Sequence, residues 1–322
     1  MFGGVILRLQ LAGAASFLET LDIRRSHSHL GFYGFLFPML WSYIKESSDW
    51  VPGNKIKFFY VMLLVTSSIS FAVSGYNVIS HIASFIILLF WIYFATRMLR
   101  TREGFLKAVP ISIYLSAVAV FSIMGSIYLY GDSAPRFELA RLFLIVLLFG
   151  VFGSLIIHKI AIRPPNILFW LAGATGSAVA LSGLVRSEWI LLFPLMWGVG
   201  ILYFVFNFSL NLKNDAERLR KYFVGIGVIL ILVGVSVLNL NSLVAVAGIH
   251  YFIFLCCGSF FLKFKAPLGL YLFEALSLIM CSLILLSSVG IYSLFLMHLL
   301  SLVSVALFLI SLWSVNIKNV TT

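Results

Sequence analysis

The chain has 322 residues, of which 62% are hydrophobic, 16% aromatic and 10% charged, with a mean hydropathy of +1.09. A water-soluble fold carries about 25% charged residues, so the composition excludes a soluble domain and makes the lipid bilayer the solvent. The 22 Lys and Arg against 11 Asp and Glu leave a net charge of +11. Those basic residues sit in short loops between apolar runs, so they describe membrane topology and leave no nucleic-acid surface.

Inside hydrocarbon every backbone polar group must be paired, and apolar runs of about 20 residues are too long for barrel strands. The expected architecture is therefore an all-α, polytopic helical bundle. In chain order the runs fall at 2–20, 27–45, 58–75, 77–96, 108–130, 139–157, 167–185, 188–209, 222–240, 242–262, 267–287 and 290–315, twelve spans in all. The first is expected to be retained, because Met1 to Gly4 lacks the basic character of a secretory leader. Junctions near 74–77, 239–242 and 288–290 carry almost no charge and rest on small or polar residues. Pro38, Pro110, Pro194 and Pro267 fall within or beside spans.

Assigning loops alternately to the two sides gathers sixteen basic residues on one side. The other holds five, Arg24, Arg25, Arg136, Arg141 and Arg186, and Arg8 lies inside the first span. The positive-inside rule then predicts cytoplasmic termini and one multi-pass domain over 1–322 in the cell membrane. The charged stretch LKNDAERLRKYF at 212–223 is expected as a cytoplasmic loop.

Six histidines are the scarce residues. His27, His29, His81, His250 and His298 fall in the first halves of spans two, four, ten and twelve, which the charge rule turns outward, and His158 lies at an inner end. An imidazole in hydrocarbon needs a hydrogen-bond partner or a metal, so each is a site candidate. Two segments stand out. In RRSHSHLGFYGFLFPMLW (24–41) and VAVAGIHYFIFLCCGSFF (244–261), histidines are accompanied by glycines that permit close approach of a helix or a planar macrocycle.

A histidine early in span two before GF…FP, together with HY in span ten, resembles subunit I of the haem-copper oxidases. The HSHLGFYGF segment also looks like the twelve-span haem proteins related to nitric-oxide metabolism. The resemblance implies a low-spin, b-type or related haem held axially by His27 and His250, with His29 competing for the first place. Arg24 and Arg25 would neutralise its propionates, and His81 and His298 are candidates for a second site. Gly248 stands where the oxidase pattern has the first histidine of HxHY, and spans six and seven lack HPExY and a histidine pair. The resemblance therefore implies no copper, no binuclear centre and no oxygen reduction.

What remains is an electron-transfer subunit of a respiratory complex, more than a stand-alone enzyme. Its expected partners are other complex subunits, an outer-face cytochrome or redox protein, membrane lipid and, as an alternative electron partner, quinone. The competing expectation is a secondary transporter or a non-haem structural subunit, to which the intramembrane Glu274 is the main pointer, beside Arg8 and Glu19. Cys256, Cys257 and Cys281 lie in apolar runs without metal or disulfide spacing and are expected as buried thiols.

Overall fold

A computed structural model describes residues 26–41, 52–75, 77–101, 104–130, 135–161, 163–181, 192–207, 215–237, 243–262, 264, 267–288 and 294–314. Among them the protein is helical, with no strand. The helical stretches are α1 (26–41), α2 (Asn54–Ser74), α3 (Val78–Thr101), α4 (Ala108–Tyr130, entered by a 3-10 turn at Gly104–Lys107) and α5 (Pro135–Ile145, continuing through Val146–Gly153 and Ser154–Ile160). They continue as α6 (Ile167–Leu181), α7 (Leu192–Asn207), α8 (Asp215–Ile231, extended by Leu232–Val237), α9 (Leu243–Tyr251, then Phe252–Gly258 and Ser259–Phe261), α10 (Pro267–Ser288) and α11 (Leu294–Ser314).

These eleven stretches fall on expected spans two to twelve. The described residues do not support a count of twelve helices, and the expected first span, 2–20, lies outside them. Six helical stretches are long and apolar enough to cross a membrane, in α2, α3, α4, α5, α9 and α10, while α6 and α7 are shorter apolar helices. Phe58, Ile69 and Val73 on α2 and Leu302 and Leu309 on α11 are more than half exposed. Such apolar surface is stable against lipid, whereas water would leave it open to association.

The 212–223 stretch departs from expectation, because helix α8 already begins at Asp215. The sequence DAERLRKYF mixes acidic residues at the helix start with basic ones a turn later, which favours helix over loop. Pro267 opens α10, and Pro110 and Pro194 occupy the first turns of α4 and α7, where a missing N–H removes no helical bond. Pro38 follows a π-helical run, Leu30–Leu36, at whose end the Phe37 N–H donates to the Phe32 carbonyl, five residues back. Further π runs occupy Val146–Gly153, Leu232–Val237 and Phe252–Gly258.

The chain forms two compact units, one of residues 1–90 and 258–322 and one of residues 91–257. In the first, α2 packs on the π run of α1, and α10 on α11. In the second, α4 packs on α5, α6 on α7, α7 on α8 and α8 on α9. The window Leu139–Ile160 of α5 is 89% buried, which makes it the unit's central helix, against 28% for α2. Trp170, Trp197, Phe149, Phe152 and Phe252 fill this second core.

Lipid tails are as apolar as these side chains, so burying them yields little hydrophobic gain, and close packing and interhelical hydrogen bonds hold the helices together. Glycine supplies the closeness. A Cβ on Gly234 of α8 would stand 2.6 Å from Ala245 Cα, and one on Gly248 of α9 would stand 2.9 Å from the Leu230 carbonyl oxygen. The two helices thus touch backbone to backbone.

Candidate functional site

The sharpest polar feature of the first unit starts at the α2–α3 turn. Gly75 there has φ +58°, a conformation that glycine adopts without strain. Asn77 caps α3: its Oδ1 accepts the Ser80 N–H at 3.0 Å while its own N–H donates to Ser80 Oγ at 3.0 Å, a reciprocal pair of the capping-box kind. Ser70 Oγ donates to the same Asn77 Oδ1 at 2.8 Å, tying the end of α2 to the start of α3. This chemistry makes a tight, uncharged junction.

One turn further along α3, Ser84 Oγ donates to the Ser80 carbonyl at 2.6 Å. Its only proton is thereby used, so Ser84 Oγ accepts from Ser67 Oγ of α2 at 3.2 Å and from His29 Nε2 of α1 at 3.3 Å. Three helices are joined at one hydroxyl. The His29 ring also lies 4.6 Å from the Tyr33 ring and 4.9 Å from that of Phe71. Ser26 Oγ donates to the Ser68 carbonyl at 2.8 Å, and Tyr60 Oη to the Tyr33 carbonyl at 2.5 Å, fixing α1 against α2 along its length.

His27 and His29 are two residues apart on α1 and so leave the helix on different faces. His29 is the one directed at Ser84, and it commits Nε2 there. His81, half-buried in the first turn of α3, donates instead from Nδ1 to the Asn77 carbonyl at 2.7 Å. In the second unit, His250 donates from Nδ1 to the Val246 carbonyl at 2.8 Å. A carbonyl only accepts, so in both rings Nδ1 carries the proton and Nε2 is the basic nitrogen, the tautomer suited to a metal.

The expected site residues are therefore distributed as follows. His27, His29 and His81 belong to the first unit and His250 to the second. His29 reaches the Ser84 hydroxyl of α3, whereas His81, one turn earlier on α3, bonds the Asn77 carbonyl. His298 lies in α11, and Arg24 and Arg25, like Arg8 and Glu19, lie outside the described residues. Glu274 of α10 is 8% exposed. The three cysteines are buried thiols outside any disulfide, as expected, and Cys256 donates to the Phe223 carbonyl.

Of the glycines expected to permit close approach of a helix or a macrocycle, Gly34 serves helix packing, as does Gly248, the residue in the place of the oxidase histidine. Gly34 faces Leu64 of α2, and Gly248 faces the α8 backbone. At Gly31 a Cβ would meet nothing within 4 Å. Among the described residues no group of three or more His, Cys, Asp or Glu side chains forms a metal cluster. An axial haem pair needs only two donors and is a different pattern. Sequence reasoning missed the Ser67–Ser84–His29 junction. Its signal was present in the serines at 67, 70, 80 and 84, but serine is common in membrane helices and nothing in their spacing names the partner helix.

No family model matches the sequence, and no curated protein or solved structure is significantly similar to it.

Proposed function

We propose that the chain is a membrane-embedded, cytochrome b-like subunit that relays electrons through a low-spin haem in a respiratory complex. The observation that carries this reading is the His250 imidazole, whose Nδ1–H bond to Val246 fixes the ring and makes Nε2 the basic nitrogen, two residues before the π run Phe252–Gly258. π turns recur at functional sites because they re-aim side chains that a regular helix would hide. The α1 histidines stand before a second such run, Leu30–Leu36.

The engagement of His29 Nε2 by Ser84 supports the reading in which His27 is the other axial ligand. Bound there, the haem would supply reversible one-electron exchange at iron. The protein's part is to hold both imidazoles in fixed orientation, so that ligation is unchanged between oxidation states and little reorganisation accompanies transfer. Arg24 and Arg25 would meet the propionates at the outer surface, and an outer-face cytochrome or other redox subunit would exchange electrons there. In this reading the chain crosses the cell membrane twelve times, residues 2–20 forming the first span. An absorption spectrum of the purified protein tests it, through a Soret band lost or shifted in His27→Ala and His250→Ala.

Glu274 favours a second reading, a secondary transporter. A carboxyl buried to 8% exposure within an apolar helix is costly and marks substrate or ion paths. Substrate-dependent flux abolished by Glu274→Gln, from a protein without haem, would select it.

A further inference from the structure

The second unit contains a set of buried donors that the electron-relay reading does not use. The indole N–H groups of Trp170 and Trp197 and the hydroxyls of Ser112, Ser116 and Ser177 have no hydrogen-bond partner among the described residues. Each of these residues is 3% exposed or less. Other buried serines, Ser277, Ser287 and Ser304 among them, bond the carbonyl four residues back, at Phe273, Leu283 and Leu300. Ser112, Ser116 and Ser177 do not, and an indole N–H has no such local carbonyl to turn to.

The five belong to helices that pack on one another. Ser112 and Ser116 are one turn apart on α4. Trp170, Gly173 and Ser177 lie three and four residues apart and share a face of α6. Trp197 comes from α7, and its ring lies 5.2 Å from that of Trp170. Helix α5 joins them at Gly150, where a Cβ would overlap Ser112 Oγ and stand 3.3 Å from Trp197 Cη2. The Phe105 ring lies 5.3 Å from that of Trp170, and the Phe149 ring 6.1 Å from that of Trp197.

We propose that this part of the second unit binds a neutral, lipid-soluble carbonyl compound, of the chemical class of a quinone, through Trp170, Trp197, Ser112, Ser116 and Ser177. The complementarity lies in the donor set. Indole N–H groups donate and cannot accept, and a carbonyl oxygen accepts and brings no hydrogen of its own. At the two indoles a water molecule would bring hydrogens that the indoles cannot accept, whereas a carbonyl oxygen brings none. None of the five is ionisable, which selects a neutral ligand, and the surrounding aromatic rings suit a flat apolar body with polar edges.

Binding can be read on the protein in detergent micelles by quenching of tryptophan fluorescence with a decyl-substituted benzoquinone, with or without haem in the preparation. Saturable quenching is expected. At least tenfold weaker binding is expected in Ser112→Ala/Ser177→Ala and in Trp197→Phe, and unchanged binding in Ser122→Ala, whose exposed hydroxyl already bonds the Val118 carbonyl. The serine double variant removes only hydroxyls, so it keeps the comparison open if Trp197→Phe fails to fold. Quenching that rises linearly and equally in all variants, as partition into micelles would give, overturns the proposal. So does saturable binding that the serine and tryptophan variants leave intact. Because the readout requires no haem, a colourless protein that still shows serine-dependent saturation would overturn the relay reading alone.

Discussion

His29 Nε2 donates to Ser84 Oγ across 3.3 Å, and the same oxygen takes a second hydrogen bond from Ser67. One hydroxyl therefore satisfies donors from two other helices. Interhelical hydrogen bonds in membranes average about 0.6 kcal/mol, but removing a shared acceptor strands both donors. Ser84→Ala is expected to lower unfolding stability in micelles by about 1–2 kcal/mol, while Ser122→Ala leaves it unchanged. Equal unfolding curves for both would show that the junction contributes nothing.

The same bond separates His29 from His27. His29→Ala is expected to cost stability and to be non-additive with Ser84→Ala, with a coupling of about 0.5–1.5 kcal/mol in a double-mutant cycle. It is expected to leave any haem spectrum in place. A spectrum lost in His29→Ala and kept in His27→Ala would exchange their roles.

The Asn77 side chain joins Ser70, Gly75 and Ser80 at the α2–α3 turn, capping α3 and holding the end of α2. Asn77→Ala is expected to destabilise by about 1–2 kcal/mol through loss of the cap, whereas Asn77→Asp keeps the cap oxygen and loses less. Hydrogen exchange at the first amides of α3 provides the local check: faster exchange in Asn77→Ala alone is the expected result.

Gly248 and Gly125 predict opposite outcomes for the same substitution. A methyl at Gly248 meets the Leu230 backbone, which cannot rotate away, so Gly248→Ala is expected to cost about 1–3 kcal/mol. At Gly125 a Cβ meets nothing within 4 Å, so Gly125→Ala is expected to be neutral or to stabilise α4 by up to about 1 kcal/mol. Thermal unfolding of the two variants decides whether α8 and α9 pack as closely as described.

The helices were legible in the sequence because the bilayer imposes one rule on every backbone amide, and a run of apolar residues is its direct imprint. Boundaries were less legible where charge is scarce or helix-forming. Asn77 and Gly75 end one helix and start the next without a single charge, and Asp215 to Tyr222 was expected to be loop although its charges are spaced for helix. The histidines were visible as rare polar groups, but not their use. His250 donates from Nδ1 to Val246 of its own helix and His29 from Nε2 to Ser84 of another, a difference that only the packed helices decide. The buried indoles and serines of the second unit carry no pattern at all until α4, α5, α6 and α7 are packed.

The central claim is axial haem ligation by His27 and His250, and the absorption spectrum of the purified protein tests it most directly. A Soret band with sharp reduced α and β bands is expected, lost or shifted in His27→Ala and in His250→Ala and retained in His29→Ala, with no change on adding carbon monoxide to the reduced protein. A folded, colourless protein, or a spectrum indifferent to both substitutions, would contradict it.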